Sequence, residues 1–192
     1  LGGVGKTRLA IEYALRYEKD YSALLLVNAE TPDSLSSDLA KLAGPAILDL
    51  PEQAAHEDAV KINAALKWLA NHPCWLLILD NVDDPPAVAG FATYFARLEG
   101  GHVLIAGRTP NLPAGVRKFE LGALTEDAAI AFLLERTQDS RLAFDDDAAK
   151  ALELAREVGC LALGLEQAGA YIANERIGFG AYLAIWRETR NT

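Results

Sequence analysis

Four side chains in this sequence have the types and order that phosphate chemistry requires: Lys6, Thr7, Asp80 and Arg108. The first two end the run Gly2-Gly3-Val4-Gly5-Lys6-Thr7, in which Gly5-Lys6-Thr7 match the end of G-x-x-x-x-G-K-[ST]. In such a loop, backbone N–H groups cradle phosphate, the lysine reaches the outer phosphates and the hydroxyl binds Mg²⁺. The motif's first glycine, and the strand before it, would fall ahead of Leu1. A bare G-K-T arises by chance in roughly one protein of this size in ten, so the triplet needs support from elsewhere.

That support lies about 70 residues on, where "WLLILDNVDD" sets Asp80 at the end of an aliphatic run, Leu76 to Leu79. A carboxylate at such a strand tip can hold the Mg²⁺ of a bound nucleotide, as a Walker B aspartate does. The competing reading is a buried strand followed by an acidic turn. A third element, "HVLIAGRTP", ends on Arg108, which could reach a γ-phosphate and sense which nucleotide is bound; otherwise it is a solvated loop arginine. Asn81, after Asp80, is neutral and can orient water without accepting its proton, so it and Asp80 are the candidates for any hydrolytic step. Asp83 and Asp84 read as loop solvation and capping. His56, His72 and His102 are scattered and form no ligand set, and Trp68, Trp75 and Trp186 read as packing residues.

The elements that must position these groups follow from periodicity. Leu9, Tyr13 and Tyr17 with Ala10 and Ala14 predict a helix from about Lys6 to Tyr17. "ALLLVNA" (Ala23 to Ala29), "CWLLILD" (Cys74 to Asp80) and "HVLIAGR" (His102 to Arg108) are apolar runs of the kind found in strands covered on both faces. "VRKFEL" reads as a fourth, shorter strand. Between them lie a helix capped by Thr31 with Pro32 at its first position, an alanine-rich helix stopped by Pro73, and a loop with one short helix before Gly101. Alternation of strands and helices predicts an α/β fold, a parallel sheet with crossover helices. Resemblance of the glycine-lysine turn to a P-loop implies a three-layer αβα sheet of the P-loop NTPase kind, whose first strand, beside the strand that ends at Arg108, is missing from the chain. From Leu124 onward the pattern is helical throughout, with Thr125 and Asp145 or Asp146 as N-caps and Gly159 as a stop. The expected division is 1–123, a nucleotide-binding α/β domain, and 124–192, a small all-helical domain.

Composition narrows the partners. With 192 residues, 51% hydrophobic, the chain has enough apolar material for one good core and a satellite. A formal charge of −9 argues against direct nucleic-acid binding, which needs a basic surface. No apolar run nears the ~20 residues of a membrane span. The two cysteines, Cys74 and Cys160, have no metal or disulfide spacing and fit a cytoplasmic setting. The sequence has no methionine, as expected of a segment of a longer protein.

Taken in order, "LGGVGKTRLA", "WLLILDNVDD", "VLIAGRT", "LGALTEDAAIAFLLER" and "CLALGLEQAGAYI" resemble the NB-ARC domain of the AP-ATPase branch of signal-transduction NTPases, particularly bacterial members. The resemblance covers nearly the whole chain. It implies an ADP/ATP-dependent molecular switch, in which a P-loop domain and a helical lid grip ADP or ATP·Mg²⁺ and a nucleotide-dependent homo-oligomer forms in the ATP state. By position it assigns Gly2, Gly3, Val4, Gly5, Lys6, Thr7 and Arg8 to the phosphates, Thr7 and Asp80 to Mg²⁺, and Arg108 to the first sensor. Leu161 and Ala162 fall in the family's G-L-P-L block, whose proline packs on adenine; here Ala162 stands in that place. Two further departures are Asn81, where a second acid is common, and Gly107, where Ser or Thr usually precedes the arginine. Asn81 implies slow or absent ATP hydrolysis unless Asp83 or Asp84 substitutes for the acid. A winged-helix domain and repeat domains are expected beyond Thr192. Two rival functions remain open at this level: an AAA-like ATPase motor, against which Asn81 speaks, and a scaffold that has lost nucleotide, which Ala162 and Gly107 would suit.

Overall fold

A computed structural model describes residues 2–83, 85–95, 98–109, 112 and 115–190. Asp84 lies outside them. The chain divides into two compact units, Lys6–Lys118 and a second made of Leu1–Gly5 with Phe119–Thr192.

The first unit is built on three parallel strands, β1 (Ala23–Asn28), β2 (Trp75–Val82) and β3 (His102–Gly107), in the order β1-β2-β3. Its helices are α1 (Lys6–Arg16), α2 (Pro32–Lys41), α3 (Asp58–Asn71) and α4 (Pro85–Phe95). The apolar run of β2 has no polar face because both of its faces are covered. Leu77, Leu79 and Trp75 face α2, α3 and α4, packing against Leu35, Leu39, Ile62 and Leu69. Leu76 and Ile78 point the other way, onto Ala10 and Ala14 of α1. The layers are thus helix, sheet, helix. Alanines on the inner stripe of α1 let it lie close over β2 and β3, while Leu24 and Leu26 of β1, on the same side, stay exposed. Trp75, buried at the start of β2, donates its indole N–H to the Leu69 carbonyl at 2.8 Å, which ties α3 to the sheet.

Local signals behave as their chemistry requires. Thr31 caps α2 by accepting from Ser34 N, while the Ser34 hydroxyl accepts from Thr31 N, a reciprocal capping box. Pro32 occupies the first turn, where its missing N–H costs nothing.

One expected strand is absent. Residues 116–121, "VRKFEL", are irregular, and Phe119 is 81% exposed. A strand exists only through ladder hydrogen bonds to a neighbour, and the described strands form a sheet of β1, β2 and β3 without this segment. Its apolar residues, Val116, Phe119 and Leu121, do not by themselves supply that ladder. The sheet instead ends at β3.

The second unit packs α5 (Glu126–Thr137), α6 (Asp147–Glu157), α7 (Ala162–Glu175) and α8 (Phe179–Arg190) around Leu133, Leu154, Leu165, Ile172 and Phe179. Thr125 caps α5 through Ala128 N at 3.3 Å. At α6 the side-chain role passes to the next aspartate. Asp146 occupies the cap position without a side-chain bond, whereas Asp147 accepts from Phe144 N and from Arg141, itself held 5.2 Å over the Phe179 ring. Gly159, with φ of +66°, ends α6 in the left-handed turn that glycine tolerates best.

Candidate functional site

In the α/β unit, the N-terminus of α1 meets the carboxyl end of β2. The Thr7 hydroxyl lies 2.8 Å from Asp80 Oδ1 and 3.0 Å from Oδ2 and donates to that carboxylate, across 73 residues of sequence. The cause is the packing of α1. Ala14 and Ala10 sit on Leu76 and Ile78, so the helix runs antiparallel to β2 and its first turn arrives beside Asp80, near the carboxyl end of the strand. The first turn of α1 carries no acid, leaving its N–H groups and partial positive charge available to an anion.

A hydroxyl and a carboxylate are hard oxygen donors of the kind Mg²⁺ takes, and among the described residues no group of three or more His, Cys, Asp or Glu could hold a metal by itself. That donor set fits a cation shared with phosphate oxygens and not an all-protein cage. Arg8 turns along α1 toward Glu12, 3.7 Å away and one helical turn on.

Past Asp80 the ladder is irregular. β2 bulges between Leu79 and Val82, and Asn81 takes a left-handed conformation at φ +61°. Asparagine is among the few residues that adopt it readily. The Asn81 amide donates to Asn28 Oδ1 at 3.4 Å, a long bond at the tip of β1. The bulge brings Val82 opposite Gly107, so close that a Cβ at Gly107 would stand 1.9 Å from the Val82 carbonyl oxygen. Glycine before Arg108 is therefore a packing requirement of this chain.

Beyond the bulge stands a group that sequence reasoning assigned to solvation. Asp83 accepts three hydrogen bonds from Arg108: the backbone N–H to Oδ1 at 2.8 Å, Nε to Oδ2 at 2.8 Å and Nη2 to Oδ2 at 2.6 Å. Those bonds hold the Asp83 carboxyl below the usual carboxylate range, with the Lys6 charge adding to the effect. Arg108 is raised in turn, first by its hydrogen bond to Asp83 and with a contribution from Glu30. Nothing local in the sequence marks the pair, since the two residues are 25 positions apart.

In the second unit, the residues expected to face adenine lie against the glycine loop. Leu163 N donates to the Gly3 carbonyl at 2.9 Å, Cβ of Leu163 is 3.3 Å from where a Cβ of Gly3 would be, and Ala162 Cβ is similarly 3.5 Å from Gly5. Gly3 and Gly5 have φ of +74° and +95°, and any larger residue there would be strained. Val4 is buried, Gly2 is exposed, and Leu161 is the cap residue of α7. Leu163, which sequence reasoning did not single out, makes the loop's backbone contact.

The histidines stay apart from all of this: His72 stacks on Trp68 and His102 bonds Tyr21. Cys74 and Cys160 are free thiols. No helix among the described residues is long and apolar enough to cross a membrane. No protein-family model matches the chain, and a search of curated proteins returns no match.

Proposed function

We propose that this chain is an adenine-nucleotide-binding switch module of the P-loop NTPase kind, in the manner of NB-ARC domains, binding ADP or ATP with Mg²⁺ and hydrolysing ATP slowly or not at all. The observation that carries the reading is the Thr7–Asp80 contact. A G-K-T turn opening a helix and an aspartate near the carboxyl end of a central parallel strand are common separately, but their meeting at 2.8 Å is the arrangement that phosphate-bound Mg²⁺ needs.

Each residue then has a role. Backbone N–H groups of Gly3 to Thr7 bind phosphate oxygens, and the positive φ of Gly3 and Gly5 supports that cradle. The Lys6 ammonium neutralises the outer phosphates. Thr7 and Asp80 would hold Mg²⁺, which when bound offsets phosphate charge. Asn81 orients water but accepts no proton, and Asp83 is engaged with Arg108, so the tip of β2 lacks a free general base among its described residues. Slow turnover is expected unless Asp84, outside the described residues, supplies the base. The same reading expects a cytoplasmic protein whose winged-helix and repeat domains lie downstream and which forms nucleotide-dependent homo-oligomers.

Isothermal titration with ADP and with ATP·Mg²⁺ tests it. Lys6→Ala should weaken both by about 10- to 100-fold, the loss of a charge-assisted contact. A folded protein that binds neither nucleotide would end the reading. Steady-state phosphate release above about 1 s⁻¹, ordinary for enzymes, would replace the switch by a motor.

A further inference from the structure

Resting on the nucleotide reading, we propose that Asp83 is a built-in competitor of the γ-phosphate. It holds Arg108 when the site is empty or filled with ADP, and a third phosphate must displace it, so that Asp83 sets how strongly the site prefers ATP over ADP.

The geometry supports competition. Asp83 takes the Nε–Nη2 edge of the guanidinium, the edge best suited to a forked anion, and so stands in the position a phosphate would claim. Its other oxygen is anchored by the Arg108 backbone N–H, which keeps the carboxylate in place whatever the side chain does. Arg108 is 59% exposed, so no packing prevents it from swinging away, while Asp83 at 24% is the more fixed partner. Lys6 also acts on the Asp83 carboxylate. One acidic side chain therefore sits in the field of both cations assigned to phosphate, carrying a single negative charge where a γ-phosphate brings about two. An exposed pair of this kind is weak enough for a doubly charged anion to break and strong enough to be felt in binding.

The test is calorimetric titration of the full-length protein with ADP·Mg²⁺ and with the imido analogue of ATP, in four forms: wild type, Asp83→Asn, Arg108→Gln and the double variant. Asparagine keeps the acceptor for the Arg108 N–H, and circular dichroism checks that each form is folded; Asp83→Ala serves as a second variant. Asp83→Asn should tighten the triphosphate on the order of three- to tenfold while leaving ADP within about twofold, and in the Arg108→Gln background the same change should do nothing. If Asp83→Asn weakens the triphosphate, the carboxylate aims the arginine and the proposal is wrong. Equal shifts for ADP and triphosphate, or an undiminished gain without Arg108, would reduce the effect to net charge and also overturn it. Both nucleotides bound with an unchanged ratio defeats this inference alone. A wild type and variant that bind no nucleotide defeat the nucleotide reading together with it.

Discussion

Replacing Gly107 by alanine isolates one feature of the site, the close approach of the β2 bulge to β3. Gly107 is the last residue of β3 and is absent from the positions with positive φ, so alanine there meets no backbone strain of its own. The cost is steric. The new Cβ would lie 1.9 Å from the Val82 carbonyl oxygen and 2.7 Å from its carbon, and both belong to backbone that no rotamer change can move. Reaching ordinary contact requires the two chains to part by roughly 1 Å or more, next to the N–H with which Arg108 holds Asp83. Overpacking of this kind costs about 2–3 kcal/mol. Urea unfolding followed by tryptophan fluorescence measures it, in a Trp186→Phe background where Trp68 and Trp75 report the α/β unit alone. Gly180→Ala is the control: nothing lies within 4 Å of its added Cβ, and in α8 it should be neutral or stabilising by up to about 1 kcal/mol. A Gly107→Ala loss under about 0.5 kcal/mol, no larger than that of a surface substitution, would show that the bulge gives way and that glycine is not required there.

Asp147→Ala should cost the helical unit about 3 kcal/mol, because Arg141, only 12% exposed, is left charged without its partner; helical circular dichroism in urea reads it, and a change under about 0.5 kcal/mol would refute the assignment. The Asp83–Arg108 pair has a pH signature. Its carboxyl is lowered in the folded state, so its contribution is complete above the unfolded aspartate value near 3.9 and fades as pH falls through the lower folded value. The stability difference between wild type and Asp83→Asn should hold constant from pH 7 to about 5 and shrink below about 4. A difference independent of pH across that span would mean the pair contributes nothing.

The reach of sequence reasoning here followed the range of the interactions involved. Strands β1, β2 and β3, the Thr31 and Thr125 caps and the helical second half were legible because they depend on neighbours within about one helical turn or on a short apolar run, although only β2 is covered on both faces as expected, Leu24 and Leu26 of β1 and Val103 of β3 being exposed. The residues proposed for phosphate, Lys6, Thr7 and Asp80, were picked out by patterns that are themselves local, G-K-T and an aspartate after four aliphatic residues. "VRKFEL" misled for the complementary reason: strand propensity is local, but a strand needs a partner. Only the tertiary structure could put Thr7 on Asp80, turn Asp83 from a solvated acid into the holder of Arg108, and make Gly107 a consequence of a bulge at Asn81 and Val82. Each of these is a distance between residues far apart in the chain, set by how α1 and the two strand ends pack, and packing of that range is not written in any one stretch of sequence.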